Sequence, residues 1–288
     1  GIRDDVVMAT RADGKGEAFY QKRAPANTPD WVQTAEVVFP SGRTATEVAP
    51  ADLATIIWMV NLGTVRFHPW PVRTPDTDAV DQLRIDLDPQ DGVGFDVAVT
   101  AALELRQVLG EAGLTGFCKT SGGRGVHVFA PILPSDFIDA RHAAIAVGRE
   151  LARRLPELVT VNWWKEERGE RVFVDFNQMA RDRLMTSAYS IRPTPRGLVS
   201  APLGWDELDQ VRPEDFTVVT MPGRFVERGD VWDGFYRTEP ASLETLLSWY
   251  DRDAGAGEGE LPYPPEYPKM PGEPPRVQPS KKNAANWD

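Results

Sequence analysis

The stretch RIDLDPQ at residues 84–90 sets Asp86 and Asp88 on either side of one leucine, with Ile85 and Leu87 alternating between them. Strand side chains alternate between faces, so residues two apart share one face. Two carboxylates so close repel, and burial together favours protonation. A divalent cation removes that penalty, and hard oxygen donors suit magnesium or manganese. The competing reading is a strand end reaching solvent, the commoner case for an isolated D-x-D. A third acid shifts the balance. In RVFVDFNQ, Asp175 follows Val172-Phe173-Val174 and precedes Phe176, in an apolar strand where aspartate is disfavoured. If that strand neighbours the first, three aspartates converge, enough for two metal ions to serve an in-line displacement at phosphorus. The plain alternative is an aspartate paired with a core arginine.

KTSGGRGVHV at 119–128 gathers Lys119, Ser121, Arg124 and His127 around Gly122, Gly123 and Gly125. Glycines let a backbone approach a ligand, and successive N–H groups form an anion nest. Arg124 adds a planar donor for phosphate and Ser121 a hydroxyl. Alone, such a turn is a hairpin loop and a single histidine is a satisfied core residue. Beside acids on neighbouring strands, the group reads as a triphosphate site. Downstream, Arg192 in SIRP is a further candidate for the γ-phosphate.

These groups need a sheet to hold them. LRIDLDP alternates as a strand, and TGFCKT and GVHVFAPI read as two strands joined by SGGR. AEVVFP at 35–40 reads as another. Helical spacing predicts helices over 51–63, over 95–113, and over 135–155 with Ser135 as N-cap. Residues 161–176 read as a hairpin turning near Arg168-Gly169. After Asp251 the texture becomes rich in Gly, Glu and Pro, which predicts an extended surface segment that buries little, ending in the tail KKNAANWD. The fold class expected is α+β, a central mixed or antiparallel sheet flanked by helices. The expected division is a catalytic domain over 1–252 and a Gly/Pro-rich extension over 253–288.

The chain has 288 residues, enough for one large domain or two modest ones. No apolar run is long enough to cross a bilayer, and no secretory signal opens the chain. With Cys118 the single cysteine, a disulfide framework is excluded and a reducing compartment fits. The expected location is cytoplasmic and nucleoid-associated. The chain opens on Gly1 without an initiator methionine, which reads as a trimmed or processed product. A net charge of −11 argues against nonspecific coating of nucleic acid, yet leaves a nucleic-acid enzyme open, because binding needs only a local basic surface. Arginines do cluster locally, at Arg168 and Arg171, Arg181 and Arg183, and Arg192 and Arg196, though alone they read as solvated faces.

The ordered set DLDP, SGGRGVHV, VFVDFNQ and YSIR, followed by SAPLGWDEL, resembles the bacterial primase-polymerases of the archaeo-eukaryotic primase superfamily. Within it, the set is most similar to the repair polymerases that partner ATP-dependent DNA ligases, the ligase D polymerase domain and primase-polymerase C among them. FYQKRAP at 19–25 and LGTVRFHPW at 62–70 extend the resemblance. It implies that Asp86, Asp88 and Asp175 hold Mn2+ or Mg2+, two ions, with manganese the better metal. It implies that Ser121, Gly122, Arg124, Gly125 and His127 form the nucleotide-binding motif, with Gln178 and Arg192 near the sugar and triphosphate. Lys22 falls in a phrase associated with DNA, and Arg181 and Arg183 join it on charge alone. The implied reaction is template-directed addition of nucleotides, ribonucleotides preferred, to a primer 3′-hydroxyl at short gaps or broken ends. The implied partners are DNA, an NTP or dNTP, an ATP-dependent DNA ligase and end-joining or excision-repair factors, for a monomer with no membrane role. Family members carry a further N-terminal segment that grips a downstream 5′-phosphate, and GIRDDVV reads as its middle, so that segment is expected to be missing or replaced. Two rivals stand beside this reading: a two-metal phosphodiesterase or nuclease, which has little need of a basic Gly-rich cradle, and a noncatalytic DNA gap- or end-binding module, which gains nothing from crowded carboxylates.

Overall fold

The computed structural model describes residues 5–11, 19–192 and 194–276. The first four residues and the tail KKNAANWD lie outside the described residues. In chain order the elements are β1 (Asp5–Arg11), β2 (Phe19–Gln21), β3 (Thr34–Val38), β4 (Thr44–Val48), α1 (Leu53–Asn61), β5 (Thr64–Arg73), β6 (Asp76–Pro89), α2 (Phe95–Glu111), β7 (Phe117–Thr120), β8 (Val126–Ser135), α3 (Phe137–Arg154), β9 (Val159–Thr160), α4 (Lys165–Arg168), β10 (Val172–Val174), β11 (Pro202–Leu203), α5 (Met221–Arg228) and α6 (Glu244–Gly255).

The strands join an eleven-stranded sheet in the order β11-β7-β8-β6-β5-β1-β4-β3, with β10 and β9 branching from β6 and β2 from β1. Helices flank it, which is the α+β class expected. The long strand β6 is the axis of the arrangement. One of its edges pairs with β8 over most of its length. Its other edge pairs first with β5, near Val80, and then with β10, near Leu87. The sheet's back face is apolar: Ile85 and Leu87 of β6 are buried with Ala98, Ala102 and Leu105 of α2 and with Ala143, Ala144 and Val147 of α3. Alanines on both helices let them sit close to the strands, and period-2 alternation leaves the acids of β6 on the front.

Three expectations are corrected. Ser135 closes β8, and Asp136 caps α3, its Oδ1 accepting from the N–H groups of Ile138 and Asp139 at 2.8 Å each. A carboxylate at the positive end of a helix does what the hydroxyl was expected to do. Residues 161–176 are not a hairpin, because β9 and β10 pair in parallel with the turn of α4 between them. Buried Arg168 is the cause: it donates to the carbonyls of Asn162 at 3.0 Å and Trp163 at 2.9 Å, and its guanidinium lies 3.5 Å from the Phe173 ring. Those contacts coil the chain where a hairpin would keep it extended. Lastly, the Pro-rich segment does bury side chains. Tyr263 is 2% exposed and Glu273 is buried too, since the segment lies against Arg141 of α3.

The smaller end of the sheet has its own buried acid. Glu47 of β4 is fully buried and accepts a hydrogen bond from Trp70 Nε1 at 3.1 Å. Burial pushes its carboxyl up to about 8, with the Trp70 bond opposing. The unfolded chain ionises this group near 4.5, so its contribution to stability is complete below that pH and is lost as pH rises toward about 8. A Glu47→Gln variant should therefore lose less of its melting midpoint than the parent between about pH 5 and 8; parallel slopes in thermal melts would refute the assignment. At the turn into β8, a Cβ on Gly125 would lie 2.4 Å from the Leu87 carbonyl oxygen. Gly125→Ala should prise β8 from β6, lowering stability by about 2 kcal/mol and the melting midpoint by roughly 4–8 °C.

Candidate active site

Pairing between strands places the charged side chains. Asp86, His127 and Lys119 stand in register across β6, β8 and β7. Beside them β10 runs antiparallel to β6, with Phe173 opposite Asp88 and Val174 opposite Leu87. Just past the strand, the Asp175 N–H donates to the Asp86 carbonyl at 3.0 Å. The acids of DLDP and of VFVDF thus meet on the front of the sheet. A 3-10 turn, Phe176–Met179, then fixes the third carboxylate. Asp175 Oδ1 accepts from the Asn177 N–H at 3.1 Å and Oδ2 from Gln178 Nε2 at 3.0 Å. Gln178, expected near a sugar, is committed in this structure to Asp175.

The acids feel one another. Burial, then Asp175, then Asp88 push the Asp86 carboxyl up to about 8. Asp175 is also raised, chiefly by burial, with the Gln178 hydrogen bond opposing. His127 Nε2 lies 3.4 Å from Asp86 Oδ1, and its Nδ1 lies 2.6 Å from Lys119 Nζ. Lys119 is fully buried and also donates to Ser200 Oγ at 2.6 Å. Burial holds both Lys119 and His127 below their usual ranges. With Lys119 donating to Nδ1, the network assigns the ring hydrogen to Nε2, facing Asp86.

The glycine loop closes the other side. Gly122 has φ +73°, and a Cβ there would lie 2.8 Å from Arg192 Cγ, so only glycine lets Arg192 cross the loop. Arg192 Nε donates to the Ser121 carbonyl at 2.9 Å. Burial, then Arg66, lower its pKa, while Asp86 and Asp88 work against them. Ser121 Oγ accepts from the N–H groups of Gly123 and Gly125, at 3.1 Å each. Two donors that the sequence offered to a phosphate are thereby satisfied within the loop. Arg124 stands at the rim, 60% exposed, paired with the exposed Asp91 at 3.1 Å.

One residue of this wall had no role assigned from sequence. His68 on β5 is buried, and among the described residues neither ring nitrogen has a partner of hydrogen-bonding geometry. Burial, then Arg66, Arg192 and Lys119, hold its pKa down to about 3. Its signal was visible: it is one of three histidines, set in a strand between Phe67 and Pro69. The three cations assigned to DNA already hold carboxylates. Lys22 pairs with Asp182 at 2.8 Å, Arg181 with Asp78 at 2.7 Å, and Arg183 with Glu266.

The donor set fits a hard divalent cation. Asp86, Asp88 and Asp175 offer oxygen alone, and Asp86 lies within electrostatic reach of both other acids. Among the described residues no three His, Cys, Asp or Glu side chains already close on one point.

Comparisons with known proteins identify the family. A family model described as LigD, primase-polymerase domain, matches residues 2–232. The bifunctional non-homologous end joining protein LigD of Bacillus subtilis is 31% identical over 79% of this chain and 37% of its own length. The multifunctional LigD of Mycolicibacterium smegmatis is 26% identical over 88% of this chain and 33% of its own. The chain therefore spans about a third of the length of these relatives. The polymerase domain of Mycobacterium tuberculosis ligase D, solved in complex with DNA, superposes with a TM-score of 0.76 at 26% identity, covering 83% of this chain and 87% of that one. A match that runs through both acidic strands and the glycine loop between them settles the kinship: the chain belongs to the LigD primase-polymerase domain family.

Proposed function

We propose that residues 1–252 catalyse template-directed transfer of nucleotides to a DNA 3′-hydroxyl at short gaps or broken ends. The observation that carries this reading is that Asp86 lies within electrostatic reach of both Asp88 and Asp175 beside a wall of nitrogen donors, His127, Lys119 and Arg192. A nuclease needs the acids but not the wall. Family membership supports the same choice, and the relatives' role in end joining points to a ligase and end-joining factors as companions. The described residues contain no helix long and apolar enough to cross a membrane.

Asp86, Asp88 and Asp175 would hold two ions, magnesium or manganese. Bound there, the ions would lower the pKa of the attacking hydroxyl and offset the charge of the departing pyrophosphate. The chain's own residues do the rest. Gln178 and the Asn177 N–H hold the Asp175 carboxylate in one orientation. Lys119 fixes the His127 tautomer, so that its Nε2–H faces the place where phosphate oxygens and Asp86 meet. Arg192 and Arg124 offset triphosphate charge, Arg192 from the floor and Arg124 from the rim after leaving Asp91. Ion pairs near the surface are weak, so DNA phosphates can displace the carboxylates now on Lys22 and Arg181. A ribonucleotide should be accepted at least as well as a deoxynucleotide.

Asp86→Ala or Asp88→Ala should abolish primer extension in gel assays; normal extension by either variant would refute the assignment. Arg124→Ala should weaken apparent nucleotide affinity about tenfold, the worth of one hydrogen bond to a charged group, and leave DNA affinity unchanged. Labelled gapped DNA incubated with metal alone should keep its length and grow only when nucleotides are added. Shortening without nucleotides would favour the nuclease.

A further inference from the structure

The Pro-rich segment after α6 reaches the site through a buried arginine. Arg141 of α3 is 0% exposed, and every nitrogen of its guanidinium donates a hydrogen bond. Nε donates to Asn177 Oδ1 at 2.8 Å, and Nη1 to Glu260 Oε1. Nη2 donates to the carbonyls of Leu261 at 2.8 Å and Pro262 at 3.2 Å. The Tyr263 ring lies 3.7 Å from the guanidinium. Glu260 also meets His142 Nε2 at 2.9 Å. Though burial opposes it, the His142 bond and the Arg141 charge hold the Glu260 carboxyl down at about 2.

Asn177 is the link to the site. Its Nδ2 donates to the Pro262 carbonyl at 2.9 Å, and its Oδ1 takes Arg141. Its backbone N–H holds Asp175 Oδ1. Two more stitches follow: Tyr267 OH donates to the Arg181 carbonyl at 2.9 Å, and Glu266 pairs with Arg183. The strap thus grips the chain that leaves Asp175 at three successive places. Stability alone does not call for this design, because an apolar contact of equal volume does as well or better than a buried ion pair. Directional bonds to both ends of one amide instead fix an orientation.

We propose that the strap positions Asp175 for a divalent cation, with Glu260, Arg141 and Asn177 as positioning residues. The proposal rests on the reading of Asp175 as a metal ligand. Partners that orient a metal-binding carboxylate typically contribute 10–100-fold in metal affinity.

The test is a Mn2+ titration of the full chain without nucleotide, reading free Mn2+ by electron paramagnetic resonance. Asn177→Ala and Glu260→Gln should each weaken binding about tenfold, and the double variant by much less than the product, because both act along one path. Metal-free unfolding should stay cooperative in each, and if Asn177→Ala does not fold, Glu260→Gln carries the test. Val147→Ala, which opens a cavity in α3 without touching the strap's hydrogen bonds, should leave Mn2+ binding at the parental level. Parental affinity in both strap variants, with Asp175→Asn weakened, would overturn the proposal. So would equal weakening by Val147→Ala, which would mean general loosening. Unchanged binding in Asp175→Asn would overturn the ligand reading itself.

Discussion

One backbone hydrogen bond, from the Asp175 N–H to the Asp86 carbonyl, draws together two mutually repelling carboxylates, one on β6 and one just past the end of β10. Side chains alone would not stay there, since like charges in a poorly hydrated place drive protonation or separation. The sheet imposes the meeting. Apolar residues on the back of β6 and β10, Leu87 and Val174 among them, are buried against α2 and α3, and turning either strand over would expose them. The burial of the back face therefore sustains the electrostatic tension of the front.

The opposite wall answers that tension in an economical way. Lys119 and His127 are basic groups held below their usual pKa by burial, linked to each other and, through His127, to Asp86. Arg192, crossing the loop at Gly122, supplies the firm positive charge.

Much of this was legible in the sequence for local reasons. The shared face of Asp86 and Asp88 follows from the period of a strand, and the SGGR turn from its glycines. The helices over 95–113 and 135–155 follow from their apolar spacing, though the cap of the second moved by one residue to Asp136. The short KEER turn was misread because its cause, Arg168 donating across to Asn162 and Trp163, leaves no periodic trace. The resemblance placed Gln178 near a sugar, and its position one turn beyond Asp175 puts its amide on that carboxylate in this structure.

What the sequence determined by itself is which residues share a face and where the chain must turn, because those depend on neighbours within a few positions. Only the tertiary structure decided that β10 takes the edge of β6 that β5 leaves, that Lys22, Arg181 and Arg183 each hold an acid, and that a segment rich in Gly and Pro docks on Arg141. Those outcomes join residues far apart in the chain. They are set by burial and by the pairing of polar groups removed from water, and neither has a period that can be read along a chain.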